Sequence, residues 1–308
     1  MKYIKNTLAL MMFAAGLAAC SNADDNLQEY GNYPTDGVVR ISPTSAMAFS
    51  RASSAYDGET LGLCLQYGGA DRYNTDFVRW DNVAGKWEAS SQMLWKSATD
   101  AVDVYAYAPY QGSPSNLTSL PFAITPDQTA GTGLADLVYE AISGFVPATG
   151  LDASQSLAID FNHALVKLTV NLSFGDEFDG NGQTVKNVKL NQTASSVTIN
   201  LNTGDVALAA NAQPQDIFMH ATDDANKYEA VFYPSDGQQI GAKMIDVTMS
   251  DDKVYQFVVP AAGIDFKAGK AYEMNLKVGK DKMTLSNSLS IKAWETATGL
   301  VGGEAEAR

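Results

Sequence analysis

From Val166 to Leu172 the chain alternates, with Val166, Leu168, Val170 and Leu172 apolar and Lys167, Thr169 and Asn171 polar between them. The same period of two recurs in Val197, Ile199 and Leu201 against Thr198 and Asn200, and in Ile245, Val247 and Met249 against Asp246 and Thr248. Successive side chains of a strand point to opposite faces, so each run predicts a half-buried antiparallel strand with one wet face. Asp179-Gly180, Thr203-Gly204 and Asp236-Gly237 read as hairpin turns, because Gly reaches positive φ without steric cost. Helical periodicity is scarce, and Gln92 to Asp100 is the best short helix candidate. The pattern predicts an all-β chain of two sandwiches in tandem, an N-terminal one over residues 38–156 and a C-terminal one over 157–308. The boundary is placed where Gly144, Pro147 and Gly150 precede Ser and Gln residues, before strands resume at Leu157.

The first residues carry a different pattern. Lys2 and Lys5 precede an apolar stretch, Leu8 to Ala15, that is too short to span a bilayer, as expected of a signal peptide over residues 1–19. Leu17-Ala18-Ala19-Cys20 resembles a bacterial lipobox, so Cys20 is expected to be acylated and to become the new N-terminus. An ordinary signal peptide with a chance cysteine is the alternative. Residues 20–37 open with Ser21-Asn22-Ala23-Asp24-Asp25 and read as an acidic tether. With Cys20 committed to lipid, only Cys64 remains, which leaves no intramolecular disulfide. Cys64 lies between Leu63 and Leu65 and reads as a small buried hydrophobe.

At 308 residues there is enough chain for two real cores, and the formal charge of −14 excludes a nucleic-acid partner, which would need a basic face. The 2 histidines, His163 and His220, are far apart, and His163 reads as a packed structural residue between Phe161 and Leu165. No nucleophile triad, HExxH, paired cysteines or phosphate loop stands out, so no enzyme, cofactor or metal is expected. Asp176, Glu177, Asp179 and Asn181 are rich in oxygen but miss the calcium-loop spacing, which favours an acidic hairpin loop. Tyr67, Tyr73, Trp80 and Trp87 could stack on a sugar, although such rings more often fill a sandwich core.

Several motifs, in order, resemble the fimbrillin family of type V pilins. They are Phe49-Ser50-Arg51-Ala52 ahead of the strand Leu61-Gly62-Leu63-Cys64-Leu65, then Val104-Tyr105-Ala106-Tyr107-Ala108-Pro109-Tyr110 and Asp136-Leu137-Val138-Tyr139. Phe161-Asn162-His163-Ala164-Leu165-Val166-Lys167-Leu168, Phe266-Lys267-Ala268-Gly269-Lys270-Ala271-Tyr272 and Ile291-Lys292-Ala293-Trp294 follow. Ser50 stands where Thr is commoner in the family, and the tail from Gly299 to Arg308 has no counterpart in the pattern.

The resemblance implies Greek-key, transthyretin-like sandwiches and a lipoprotein that reaches the outer membrane and the cell surface. It further implies an Arg-specific protease that cuts between Arg51 and Ala52, and assembly with other pilin subunits by donor-strand exchange into an adhesive pilus. Arg is rare, occurring only at positions 40, 51, 72, 79 and 308, and Arg51 sits in a small polar stretch; a plain solvated loop residue is the alternative. Ahead of it, Val38 to Pro43 forms a short β-like run that Pro43 confines to an edge or strand end. The candidate donor strand is 283–294, where Leu285, Leu289, Ile291 and Ala293 alternate with polar residues. Completion of its own domain's sheet is the competing role for that strand. A non-polymerising, lipid-anchored receptor for a glycan or host protein is the alternative function for the whole chain.

Overall fold

The structure is a computed structural model that describes residues 31–46, 53–113, 116–178, 184–234, 239–279, 282–286 and 289–294. It is built almost wholly from strands, and period-two patterning is the reason. In β10 (Val166–Phe174) the apolar Val166, Leu168, Val170 and Leu172 are buried. The polar alternates meet neighbouring strands: Lys167 Nζ lies 2.9 Å from Glu229, Thr169 Oγ1 donates to the same carboxylate at 3.2 Å, and Asn171 Nδ2 donates to Glu273 at 2.6 Å. One face of the strand thus makes core and the other a ladder of cross-strand polar pairs.

The N-terminal sheet has eight strands: β1 (Ile41–Ala46), β2 (Ser53–Ala55), β3 (Thr60–Gln66), β4 (Val78–Val83), β5 (Lys86–Ala89), β6 (Val102–Ala108), β8 (Val138–Phe145) and β9 (Leu157–His163). Their spatial order is β2-β1-β9-β8-β6-β3-β4-β5. A three-stranded sheet joins β7 (Leu120–Ala123), β12 (Ser196–Ile199) and β13 (Val206–Leu208). A four-stranded sheet orders β14 (Pro214–Phe218), β11 (Val185–Ala194), β17 (Lys243–Met249) and β18 (Val254–Val258). The last sheet runs β15 (His220–Ala221), β16 (Lys227–Phe232), β10, β19 (Lys270–Val278) and β20 (Met283–Leu285), and β21 (Ser290–Ala293) also pairs with β19. A single turn of helix, α1 (Pro147–Gly150), precedes β9.

Two cores result. Leu61, Leu63, Leu65, Trp80, Val102, Val104, Leu157, Ile159 and Phe161 belong to a core of the N-terminal sheet. The larger core contains Cys64, Phe77, Tyr107, Leu120 and Phe122 from the first half together with the buried residues of β10, β11, β17 and β19. The alternation in β3 explains the split: Leu61, Leu63 and Leu65 face one core and Cys64 faces the other, so this strand is buried on both sides and reads as a continuous apolar run.

Two expectations differ from what is observed. The sequence boundary at 156/157 falls ahead of β9, yet β9 pairs with β1 and β8 and belongs to the N-terminal sheet, while β7 pairs with β12 of the second half. Long-range ladders of this kind leave no local sequence signature. The stretch Gln92 to Asp100 is not helical: Met93 and Trp95 are buried, Leu94 between them is exposed, and Val38 forms an isolated bridge to Leu94. Val39 donates to the Met93 carbonyl and Trp95 to the Gly37 carbonyl, at 3.0 and 2.9 Å. The stretch is a short period-two crossing, closed by Ser97 Oγ on Asp100 at 2.6 Å, and it is too short for its spacing to differ from a helical one. Of the expected turns, Asn200 to Gly204 is a tight one with Gly204 at φ +77°. Asp179-Gly180 and Asp236-Gly237 lie outside the described residues.

Candidate functional site

The site suggested by the sequence consists of the two ends of the chain and the strands that receive them. β1 runs parallel to β9, from Ile41 opposite Leu157 to Ser45 opposite Phe161. On its other side it pairs antiparallel with β2 through Thr44, Ser45 and Ala46. Pro43, which has no N–H, sits where the β2 ladder has not yet begun, and its carbonyl accepts the Tyr56 N–H at 3.0 Å. Thr44 Oγ1 donates to the Asp160 carboxylate. Further upstream, Asn32 Nδ2 donates to the Leu151 carbonyl at 2.9 Å, and Arg40 grips Asp36 at 2.6 Å, holding the Asp36 carboxyl down at about 2. Arg51 and Ala52 fall in sequence between β1 and β2; they and Cys20 lie outside the described residues.

At the other end, β20 and β21 both lie along the edge of β19 that faces away from β10. Leu285 is opposite Leu276 and Met283 opposite Val278, and after a slip in register Ile291 is opposite Tyr272 and Ala293 opposite Lys270. The strand expected as donor is therefore paired within its own sheet. Leu285 and Leu289 are half-buried against the larger core. Ile291 is 49% exposed although its partner Tyr272 is only 1% exposed, because β21 is the outermost strand and its side chain hangs at the rim. The buried anchors of the segment are Met283 and Trp294 instead; the Ala293 side chain lies outside the described residues.

Trp294 reaches back to the N-terminal sheet. Its ring stacks on His163, the last residue of β9, at 4.0 Å between centroids and 16° between planes. His163 Nδ1 lies 2.9 Å from Asp136 Oδ1, and its Nε2 is buried with no hydrogen-bond partner. His163 is thus a packed, oriented histidine. The sequence motifs contained both rings but gave no sign that they touch. His220 is elsewhere, with Nδ1 2.9 Å from the Thr129 carbonyl oxygen. Among the described residues no three His, Cys, Asp or Glu side chains cluster as metal ligands would.

Of the aromatics weighed for sugar stacking, Trp80 is core, with Nε1 3.4 Å from Met93 Sδ. Trp87 is half-buried and stacked on Tyr56 at 6.0 Å; Tyr67 and Tyr73 meet edge to face at 6.3 Å. An open groove of about 920 Å³ runs between Val38–Pro43 and the β4–β5 hairpin, with Trp80 and Trp87 among its lining. Cys64 is buried, its Sγ is 3.1 Å from the Thr75 carbonyl oxygen, and burial pushes its thiol up, away from the reactive thiolate.

The chain is all-β, with β1 ahead of Arg51 in sequence and with β20 and β21 closing the edge of their own sheet. The profile of the family described as fimbrillin-like matches residues 51–294, and the chain belongs to that family. A structure from Bacteroides uniformis, assigned to a cell adhesion protein, is 19% identical, with 85% of this chain and 99% of that one covered at a TM-score of 0.60. A counterpart from Bacteroides ovatus is 16% identical, covering 83% and 97% at 0.60. The tip fimbrial protein Mfa3 of Porphyromonas gingivalis, truncated at its C-terminus, is 12% identical, covering 83% and 100% at 0.50. At these identities the likeness is one of fold. No curated protein sequence matches the chain.

Proposed function

We propose that this protein is a structural subunit of a cell-surface fimbria that supports adhesion. It is exported as a lipoprotein acylated on Cys20, trimmed by an Arg-specific protease between Arg51 and Ala52, and joined to other subunits by strand exchange. The single observation that carries the reading is the place of β1: it lies wholly ahead of Arg51, and the family-shared segment starts at that residue. Removal of the segment ahead of Arg51 would leave β9 and β2 with open backbone edges and take Val39 out of the N-terminal core, uncovering the surface it fills. An incoming strand would repair those hydrogen bonds and refill that surface, at roughly 1.5–3 kcal/mol for each large apolar side chain buried. The segment 283–294, with Leu285, Leu289, Ile291 and Ala293, is the donor in this reading. No cofactor and no catalytic role are assigned; the covalent lipid anchors the precursor to the outer membrane.

A second reading is favoured by the pairing of β20 and β21 with their own β19. A chain that keeps this strand at home would serve as a tip or anchor subunit, or as a non-polymerising adhesin. The N-terminal sequence and oligomeric state of the protein recovered from the cell surface, before and after an Arg-specific protease, separate the two. An N-terminus at Ala52 with SDS-resistant ladders is expected of a shaft subunit. A lipidated Cys20 on a lone monomer would overturn that role.

A further inference from the structure

β9 takes most of its ladder from β1. Five residue pairs, Leu157 to Phe161 against Ile41 to Ser45, join β9 to β1, whereas β8 meets it only at Val138–His163 and Tyr139–Asn162. Over residues 157–161 the ladder partner is therefore the strand that lies ahead of Arg51. Leu157, Ile159 and Phe161 stay in the N-terminal core, so loss of β1 would leave β9 packed but short of backbone hydrogen bonds. Strands in that condition open locally far more often.

The same strand also holds the other end of the chain. His163 closes β9, and Trp294 stacks on it immediately after β21. The imidazole itself is fixed by one bond to Asp136 and its second nitrogen has no partner, while the backbone of His163 is paired with Val138 of β8. Phe161, two residues before His163, meets Tyr56 edge-on at 5.0 Å, and Tyr56 directly follows β2. Burial, with help from the Asp136 charge, pushes the Tyr56 phenol up. Ile291, half-exposed at the rim, adds little to hold β21 in place.

We propose that β9 couples the two ends of the chain: with β1 in place, His163 and Asp136 seat Trp294 and keep β21 on β19, and loss of β1 loosens β9, withdraws the seat and releases β21. The use of this coupling rests on the processing and strand-exchange reading above, and it sets an order of events. The acceptor groove and the donor strand become available together, so an unprocessed precursor offers neither. Premature assembly before export is thereby suppressed without a separate inhibitor.

The test is amide hydrogen exchange, read by mass spectrometry on the mature full chain before and after an Arg-specific protease, with N-terminal sequencing to report the cut. In cut protein, peptides covering 157–163 and 290–294 are expected to exchange on the order of tenfold faster, while those covering 243–249 are unchanged. In uncut protein, His163→Ala should quicken 290–294 and leave 157–161 as before, and His163→Phe, which keeps a ring under Trp294, should restore much of the protection. Ser42→Pro weakens the β1 ladder without a cut, since parallel pairing points the Ser42 N–H at β9 in register with the Leu157 N–H that donates to Arg40. It should quicken both segments; Thr44→Ala, which loses the hydroxyl's bonds to Asp160 and the Ile159 carbonyl but keeps the backbone ladder, is the milder form. If 157–163 quickens in either background while 290–294 does not, or if neither segment responds, the coupling is wrong. A chain that resists the protease at Arg51 counts against the processing reading alone, and Ser42→Pro then decides the coupling.

Discussion

Asp36 and Arg40 show how much a single surface contact can do and where it stops. Arg40 donates to both Asp36 carboxylate oxygens, at 2.6 and 3.1 Å, and the Val38 N–H donates to one of them at 3.0 Å. The hydrogen bonds favour the ionised form and bring the Asp36 carboxyl from an ordinary 3.8 to about 2. A lowered pKa gives stability that is complete above the ordinary value and is lost as pH falls through about 2, so the small contribution of this exposed contact does not vary with pH across the neutral range. Arg40→Ala is expected to return the Asp36 titration, followed by carboxyl NMR, toward its ordinary midpoint and to leave stability at neutral pH nearly unchanged. Gly204 is the opposite case. Its φ of +77° disfavours any side chain, and a Cβ there would run into the Tyr139 ring. Gly204→Ala should cost roughly 1–3 kcal/mol in denaturant unfolding, from strain and displacement of the ring together. The Thr203-Gly204 turn was legible because the demand is local; its closeness to Tyr139, a residue of β8, was not.

At the scale of elements, strands were readable wherever one face stayed wet. β10, β12 and β17 bury the apolar alternates that the sequence singled out, Val197, Ile199, Ile245, Val247 and Met249 among them. The reading weakened where tertiary context overrode alternation. In β3 both faces are covered, and around Met93 and Trp95 a few residues of crossing carried too short a pattern to separate from a helix. The C-terminal segment is the instructive case, since its four apolar positions suggested one buried stripe. Ile291 is 49% exposed, Met283 is 7% and Trp294 is 3%. Ile291→Ala should therefore cost less than about 0.5–1 kcal/mol in urea unfolding of the monomer, and Met283→Ala about 2–3 kcal/mol. If Ile291→Ala instead blocks ladder formation by processed protein at undiminished monomer stability, that side chain is used in a groove of another subunit, as the donor reading requires. Equal losses for both variants in the monomer would contradict the burial pattern.

For the whole molecule the question is whether the two halves are independent bodies, as a boundary near residue 156 would suggest. The packing answers against it. The larger core takes Cys64, Phe77, Tyr107, Leu120 and Phe122 from the first half, and Phe77 and Tyr107 meet edge to face at 5.1 Å inside it. β7 completes a sheet with β12 and β13. Gln128, 1% exposed, exchanges hydrogen bonds with Val231 of β16, donating through Nε2 at 2.7 Å and accepting through Oε1 at 2.8 Å. Nε2 also donates to the Thr125 carbonyl at 3.1 Å, but the two bonds to Val231 cross the halves, and breaking them on separation would leave buried groups to find water. Thermal unfolding of the mature chain is accordingly expected to follow one cooperative transition, with calorimetric and van't Hoff enthalpies in agreement. Leu168→Ala in the shared core should destabilise the protein by about 2–5 kcal/mol and lower the near-UV signal of Trp80 and Trp87 in the same step as the far-UV signal. A fragment that begins at Leu157 would lack Phe77, Tyr107, Leu120 and Phe122 and leave β12 without β7, so it should not fold alone. Two resolved transitions, or a fragment from Leu157 with native-like dispersion, would show that the halves are separable and that the shared core is only a docking surface.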